Sequence, residues 1–253
     1  MSTTTDSSNN TSEYLYHVKA TMIDYPSDSS GATRSIDILG TYIDLAAAKA
    51  AACSALLNQG YKKDDFLEYE IKSSTSNEEW KHGDGVIAFA QTPAGHIFKI
   101  AIDTKANTLG LKGNAEGKVD AHLHYGMLFA NSTDMMKPEI LNWYAVLQTT
   151  IEYNKDATGA AQHTEIEGTY LTRKEAFEAA RATLLDDEVT KNSFAEYEER
   201  SDPAEKGEWP YGEEVWVHAV AETGENFNVA VKTQPHQNKG NGDKTAWSLG
   251  GWL

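Results

Sequence analysis

Apolar residues in this chain fall into short runs that follow one of two periods, and the series of runs occurs twice. From Tyr16 to Asp24 the mixed alternation predicts a strand, followed by a Pro, Ser, Asp and Gly loop from Pro26 to Gly31. A second strand is expected over Ser35 to Ile43. The period then changes. After Asp44, small residues recur at Ala48, Ala51 and Ala52, which is helical spacing suited to a close seat on a sheet, and Gly60 suits the helix end. Phe66 to Lys72 alternates hydrophobic and acidic residues, the pattern of a strand with one face in water. Val86 to Gln91 and Ile97 to Asp103 flank a turn at Pro93 to Gly95 and read as a hairpin.

The second series repeats the first in order and spacing. Gly40-Thr41-Tyr42 recurs 128 residues later as Gly168-Thr169-Tyr170, and the same offset carries Tyr16, Thr21, Ile23 and Tyr25 onto Tyr144, Thr149, Ile151 and Tyr153. It also maps Phe66, Glu68, Tyr69 and Glu70 onto Phe194, Glu196, Tyr197 and Glu198. One inserted residue makes the offset 129, at which Trp80 meets Trp209, Gly83 meets Gly212, Val86 meets Val215 and Phe98 meets Phe227. The second helix is expected after Thr172, where Thr172 and Glu175 have the T-x-x-E spacing of a capping box, with Ala176, Ala179 and Ala180 on its small face. Val215 to Ala221 and Phe227 to Lys232 form the second hairpin.

The order strand, strand, helix, strand, strand, strand defines an α+β unit with a mostly antiparallel sheet. Two tandem copies are expected to pack as a pseudo-two-fold pair, because a fused duplicate can inherit a self-complementary interface. The chain divides into a disordered N-terminal tail (1–13), a first unit (14–104), a connector (105–141), a second unit (142–233) and a C-terminal tail (234–253). The connector contains a Gly-rich stretch, 109–117, and the tail ends in Trp247, Trp252 and Leu253; residues this large are expected to dock on the repeats.

Composition changes the picture mainly by exclusion. Across 253 residues, 22 Lys and Arg face 38 Asp and Glu, a net charge of −16 that repels phosphate backbones and anionic lipid, so neither nucleic acid nor a membrane surface is expected as a partner. The single cysteine, Cys53, permits no intrachain disulfide, and together with the absence of a membrane-length apolar run it points to a soluble cytoplasmic protein. Cys53 sits among alanines and reads as a small helix residue rather than a reactive thiol.

No cofactor is implied. The sequence contains no P-loop, no G-x-S-x-G, no H-E-x-x-H, no C-x-x-C and no dinucleotide-binding glycine fingerprint. His122 and His124 form an H-x-H pair that could begin a metal site, although two ligands do not complete one and a connector supplies exposed histidines readily. His218 stands mid-strand where the first copy has Phe89, which makes it the candidate catalytic base, set against the alternative of a satisfied histidine at the core edge. Glu68, Glu70, Glu196 and Glu198 fall on one strand face in each copy and read as a solvated surface.

Trp80-Lys-His82-Gly83-Asp84 and Trp209-Pro-Tyr211-Gly212-Glu213 share the pattern W-x-[HY]-G-[DE] before a strand. The glycine suggests a turn with positive φ and the tryptophan an anchor over the sheet. Were the two motifs to meet at the pseudo-axis, Trp80, His82, Trp209 and Tyr211, joined by Tyr42 and Tyr170, would line a cleft for a flat organic ligand. Two functions follow as expectations. The first is a binding or interaction protein that holds a small apolar or aromatic ligand, or a protein partner, between its repeats. The alternative is a cofactor-independent isomerase, cyclase or lyase that uses His218 with Tyr or Glu groups.

Overall fold

The computed structural model describes residues 12–73, 79–119, 143–201 and 209–234. The expected N-terminal tail up to residue 11, the His122 and His124 pair, and Trp247 and Trp252 lie outside the described residues.

The first unit contains β1 (Tyr14–Ile23), β2 (Arg34–Tyr42), α1 (Leu45–Asn58), β3 (Glu68–Ile71), β4 (Val86–Gln91) and β5 (Ile97–Ala106). The second contains β6 (Trp143–Ile151), β7 (Gln162–Tyr170), α2 (Arg173–Ala182), β8 (Phe194–Glu199), β9 (Val215–Ala221) and β10 (Asn226–Gln234). Each unit makes one five-stranded sheet, in the orders β2-β1-β5-β4-β3 and β7-β6-β10-β9-β8, with every described pairing antiparallel. The protein is thus an α+β pair of like units, and the two sheets remain separate.

Local chemistry explains why these residues make these elements. Asp44 caps α1 by accepting from the Ala47 N–H at 2.7 Å, and Thr172 and Glu175 form the reciprocal capping box of α2. Both helices press alanines onto their sheets: Ala48 and Ala52 in α1, Ala176 and Ala180 in α2, all without solvent exposure. The G-T-Y repeat has a physical reason. The Tyr42 ring lies over Gly40 and the Tyr170 ring over Gly168, so a Cβ at either glycine would come within 3.0 Å or 2.8 Å of the phenol. Both glycines flank a register shift, after Val18 on β1 and after Val146 on β6, so the bulge is duplicated along with the sequence.

The third strand begins later than its alternation suggests in the first unit, at Glu68 rather than Phe66. Residues Lys63–Asp65 form a 3-10 turn, and the Phe66 ring turns inward against Tyr61 and Phe98. In the second unit the strand does begin at Phe194.

The units contact each other through sheet faces that carry no helix. Ile36 and Ile38 of β2 pack with Ala145, Leu147 and Ile166 of the second unit, and Leu15 and Ile43 pack with Trp143 and Leu171. Leu111 and Val119 of the connector complete the latter cluster, and Ile43 N donates to Gly117 O at 2.8 Å. The pseudo-two-fold relation is visible in single bonds. Arg34 Nη2 donates to Ala160 O, and its counterpart Gln162 Nε2 donates to Ala32 O, the matching carbonyl of the first unit. Ion pairs flank the apolar contact: Lys105 with Glu167 at 3.2 Å and Lys232 with Asp37 at 3.8 Å. Lys19, paired with Asp103 at 2.7 Å, also donates across the interface to Thr164 O.

Candidate functional site

The W-x-[HY]-G-[DE] turns do not meet at the pseudo-axis. Each folds back onto the β3 or β8 edge of its own sheet. Gly83 and Gly212 hold φ of 108° and 109°, a left-handed conformation that reverses the chain and turns the side chain two residues after the tryptophan onto the adjoining strand. In the first unit that side chain is His82, which lies flat on Phe89 with centroids 3.8 Å apart and planes 13° from parallel. In the second it is Tyr211, which lies on His218 at 3.8 Å and 11°. The tryptophans stand edge-on to these rings, Trp80 to His82 at 4.7 Å and Trp209 to Tyr211 at 5.0 Å. Their indole Nε1 atoms are both buried with no hydrogen-bond partner among the described residues.

The acidic strand completes each cluster. His82 Nε2 lies 2.7 Å from Glu70 Oε2, and Lys81 Nζ spans Glu68 at 2.8 Å and Glu70 at 3.3 Å. The hydrogen bond from His82 and the Lys81 ammonium hold the Glu70 carboxyl below its ordinary range. In the second unit Pro210 replaces Lys81, and Tyr211 hydrogen-bonds Glu198. Desolvation, with the nearby Glu198 charge, raises the Tyr211 phenol above its usual value. Glu68 and Glu70 are therefore partly covered and paired, while Glu196 and Glu198 are exposed.

His218 is buried and its Nδ1 lies 2.7 Å from the amide oxygen of Asn228 on β10. That oxygen can only accept, so it fixes the proton on Nδ1 and the ring orientation. Tyr42 and Tyr170 belong elsewhere. They pack with the helix-side clusters of α1 and α2, and burial raises both phenols.

Two features escape the sequence patterns. His17 is fully buried on β1, its Nδ1 2.9 Å from Thr41 Oγ1 and its Nε2 without a partner among the described residues; burial drives its pKa down to about 4, against a smaller upward pull from Asp103. The second is a cationic row on α2. Arg173, Phe177 and Arg181 follow at intervals of four, and with Lys174 and Glu178 they line a shallow depression. The Arg173 guanidinium lies 4.8 Å from the Phe177 ring, Phe177 rests 3.6 Å from Trp216, and Arg200 approaches the Trp216 ring at 5.7 Å. The offset of 128, applied to the helix, could have exposed this row, since the matching residues of α1 are Leu45, Lys49 and Cys53.

No protein-family model matches the chain, and neither a curated protein nor a solved structure matches it. Among the described residues no helix is long and apolar enough to cross a membrane.

Proposed function

We propose that this chain is a binding protein without catalytic chemistry of its own, and that it engages a partner protein through an acidic segment carrying apolar side chains, laid on the α2 face of the second unit. The observation that carries this reading is the Arg173, Phe177, Arg181 row in a chain of net charge −16. Guanidinium groups beside a partly exposed ring such as Phe177 recognise carboxylates bidentately while the ring edge takes apolar groups, the combination used for acidic-motif recognition.

Of the two ligand classes raised by the duplication, the packing favours the partner protein. Ile38, Ala145, Leu147 and Ile166 are all under 9% exposed where the units meet, which leaves little room there for a small apolar molecule. The catalytic alternative calls for a titratable group bonded to His218. Asn228 in that place orients the ring without offering a proton relay.

Calorimetric titration with a synthetic peptide that intersperses Glu with Leu and Phe, beside its Gln-for-Glu analogue, tests the reading. Saturable binding of the acidic peptide, weakened at least about tenfold by Arg173→Glu with Arg181→Glu, is expected. Equal binding of the neutral analogue, or an unchanged affinity in the charge-reversed protein, would refute it.

A further inference from the structure

The strand-edge cluster of the first unit can do something its counterpart cannot. Glu68 and Glu70 project from one face of β3 because strand side chains alternate, and the Trp80 turn delivers His82 to the same place. One ligand atom from each of the three residues lies within 4.8 Å of the others. The imidazole is a buried, oriented donor rather than a surface group: its side chain is 6% exposed, sandwiched by Phe89 and held edge-on by Trp80, with Nε2 directed at Glu70. The cluster also already holds a cation, since the Lys81 ammonium bridges both carboxylates. Lys81 is itself 63% exposed at its side chain, so displacing its ammonium into water sacrifices little burial. In the second unit Tyr211 and Pro210 replace the histidine and the lysine, which removes both the imidazole and the ammonium.

We propose that Glu68, Glu70 and His82 form a site for one divalent transition-metal ion of the zinc class, with Lys81 as the resident counter-cation that the ion displaces. An imidazole nitrogen with two carboxylate oxygens is a donor set that suits zinc and its neighbours rather than magnesium or calcium. Three protein ligands leave a coordination position for water, and the Phe89 stack fixes the ring as an outer-shell partner would. This site is separate from the α2 surface and does not depend on the function assigned to it.

The test is titration of the full chain with ZnCl2, followed by calorimetry and by competition with a chelator, with Co2+ as a spectroscopic substitute. One ion per chain is expected, preferred over Mg2+, with a Co2+ spectrum of nitrogen and oxygen ligands. His82→Gln and Glu70→Gln should each weaken binding by at least about tenfold, and Lys81→Ala should tighten it. If His82→Gln does not fold, His82→Tyr, which installs the residue of the second unit, serves in its place. The proposal is overturned if no saturable binding occurs, if binding survives in the His82 and Glu70 variants, or if His122→Ala with His124→Ala removes it instead.

Discussion

His218 lies flat against Tyr211 in the second unit, and at the matching positions of the first unit His82 lies flat against Phe89, so the histidine has changed sides of an otherwise constant stack. What the two units share is therefore the pair, not either residue. A histidine ring and a benzenoid ring at 3.8 Å couple energetically in the way other aromatic pairs do, by about 1 kcal/mol. The double variant His82→Tyr with Phe89→His should consequently be more stable than the sum of its single substitutions implies. Urea unfolding of the four proteins in that cycle measures the coupling, and strict additivity would count against a shared stacked unit.

Acid should weaken the fold through His17 before it does so through the carboxylates. His17 has a pKa of about 4 when folded and about 6.5 when unfolded. Between those values the unfolded chain binds a proton that the folded chain excludes, so stability rises with pH across this window and falls as pH drops from 6.5 towards 4. The integrated loss is about 3 kcal/mol. Carboxylates such as Asp28, held down to about 2 by hydrogen bonds from Ser30 and Thr33, contribute their losses lower, as pH falls below their unfolded value near 3.8. In His17→Ala, which installs the residue found at Ala145, the slope of stability against pH between 6.5 and 4 should flatten while the lower limb remains.

Gly40 and Gly168 are constrained by the ring above them rather than by φ. Gly40→Ala should cost about 1–3 kcal/mol by pushing Tyr42 off its seat, and Gly168→Ala at least as much, since its Cβ would come closer. Combining Gly40→Ala with Tyr42→Leu should cost less than the two separate changes together. Thermal unfolding of the three variants checks this.

The Arg34 guanidinium ties three carbonyls, those of Gly31, Ala160 and Gln162, and two of them belong to the other unit. Arg34→Ala should destabilise the chain by on the order of 1–2 kcal/mol and uncouple the units, so that near-UV and far-UV signals no longer unfold at one midpoint. Arg34→Gln, which copies Gln162, should retain most of the coupling.

Much of this architecture is legible from residue order alone. Helix starts announce themselves through Asp44 and Thr172, and the strands through alternation, because those signals act over a few residues. The Gly83 and Gly212 turns are legible for the same reason. The fate of the Trp80 and Trp209 motifs is not. Glu70 and His82 are twelve positions apart, and their contact depends on how β3 registers on β4, which no local pattern specifies. The duplication marks Glu68 and Glu70 as shared positions and so suggests a solvated face, yet the difference between His82 and Tyr211 is what distinguishes the first cluster. His17 is hidden for a related reason: its burial and its bond to Thr41 on the neighbouring strand depend on tertiary packing, which no local pattern specifies.

Lys19 and Leu147 occupy the same place in the two units, one reaching across to Thr164 O and the other sealed in the apolar cluster with Ile38. In an assembly of two identical chains such a position would have to accept the same side chain twice, and two lysines would confront each other around one axis. Joining the units in a single polypeptide removes that requirement. Each surface can then be fitted to a neighbour that differs from it, and the freedom so gained is visible in Lys19, which the second unit does not match.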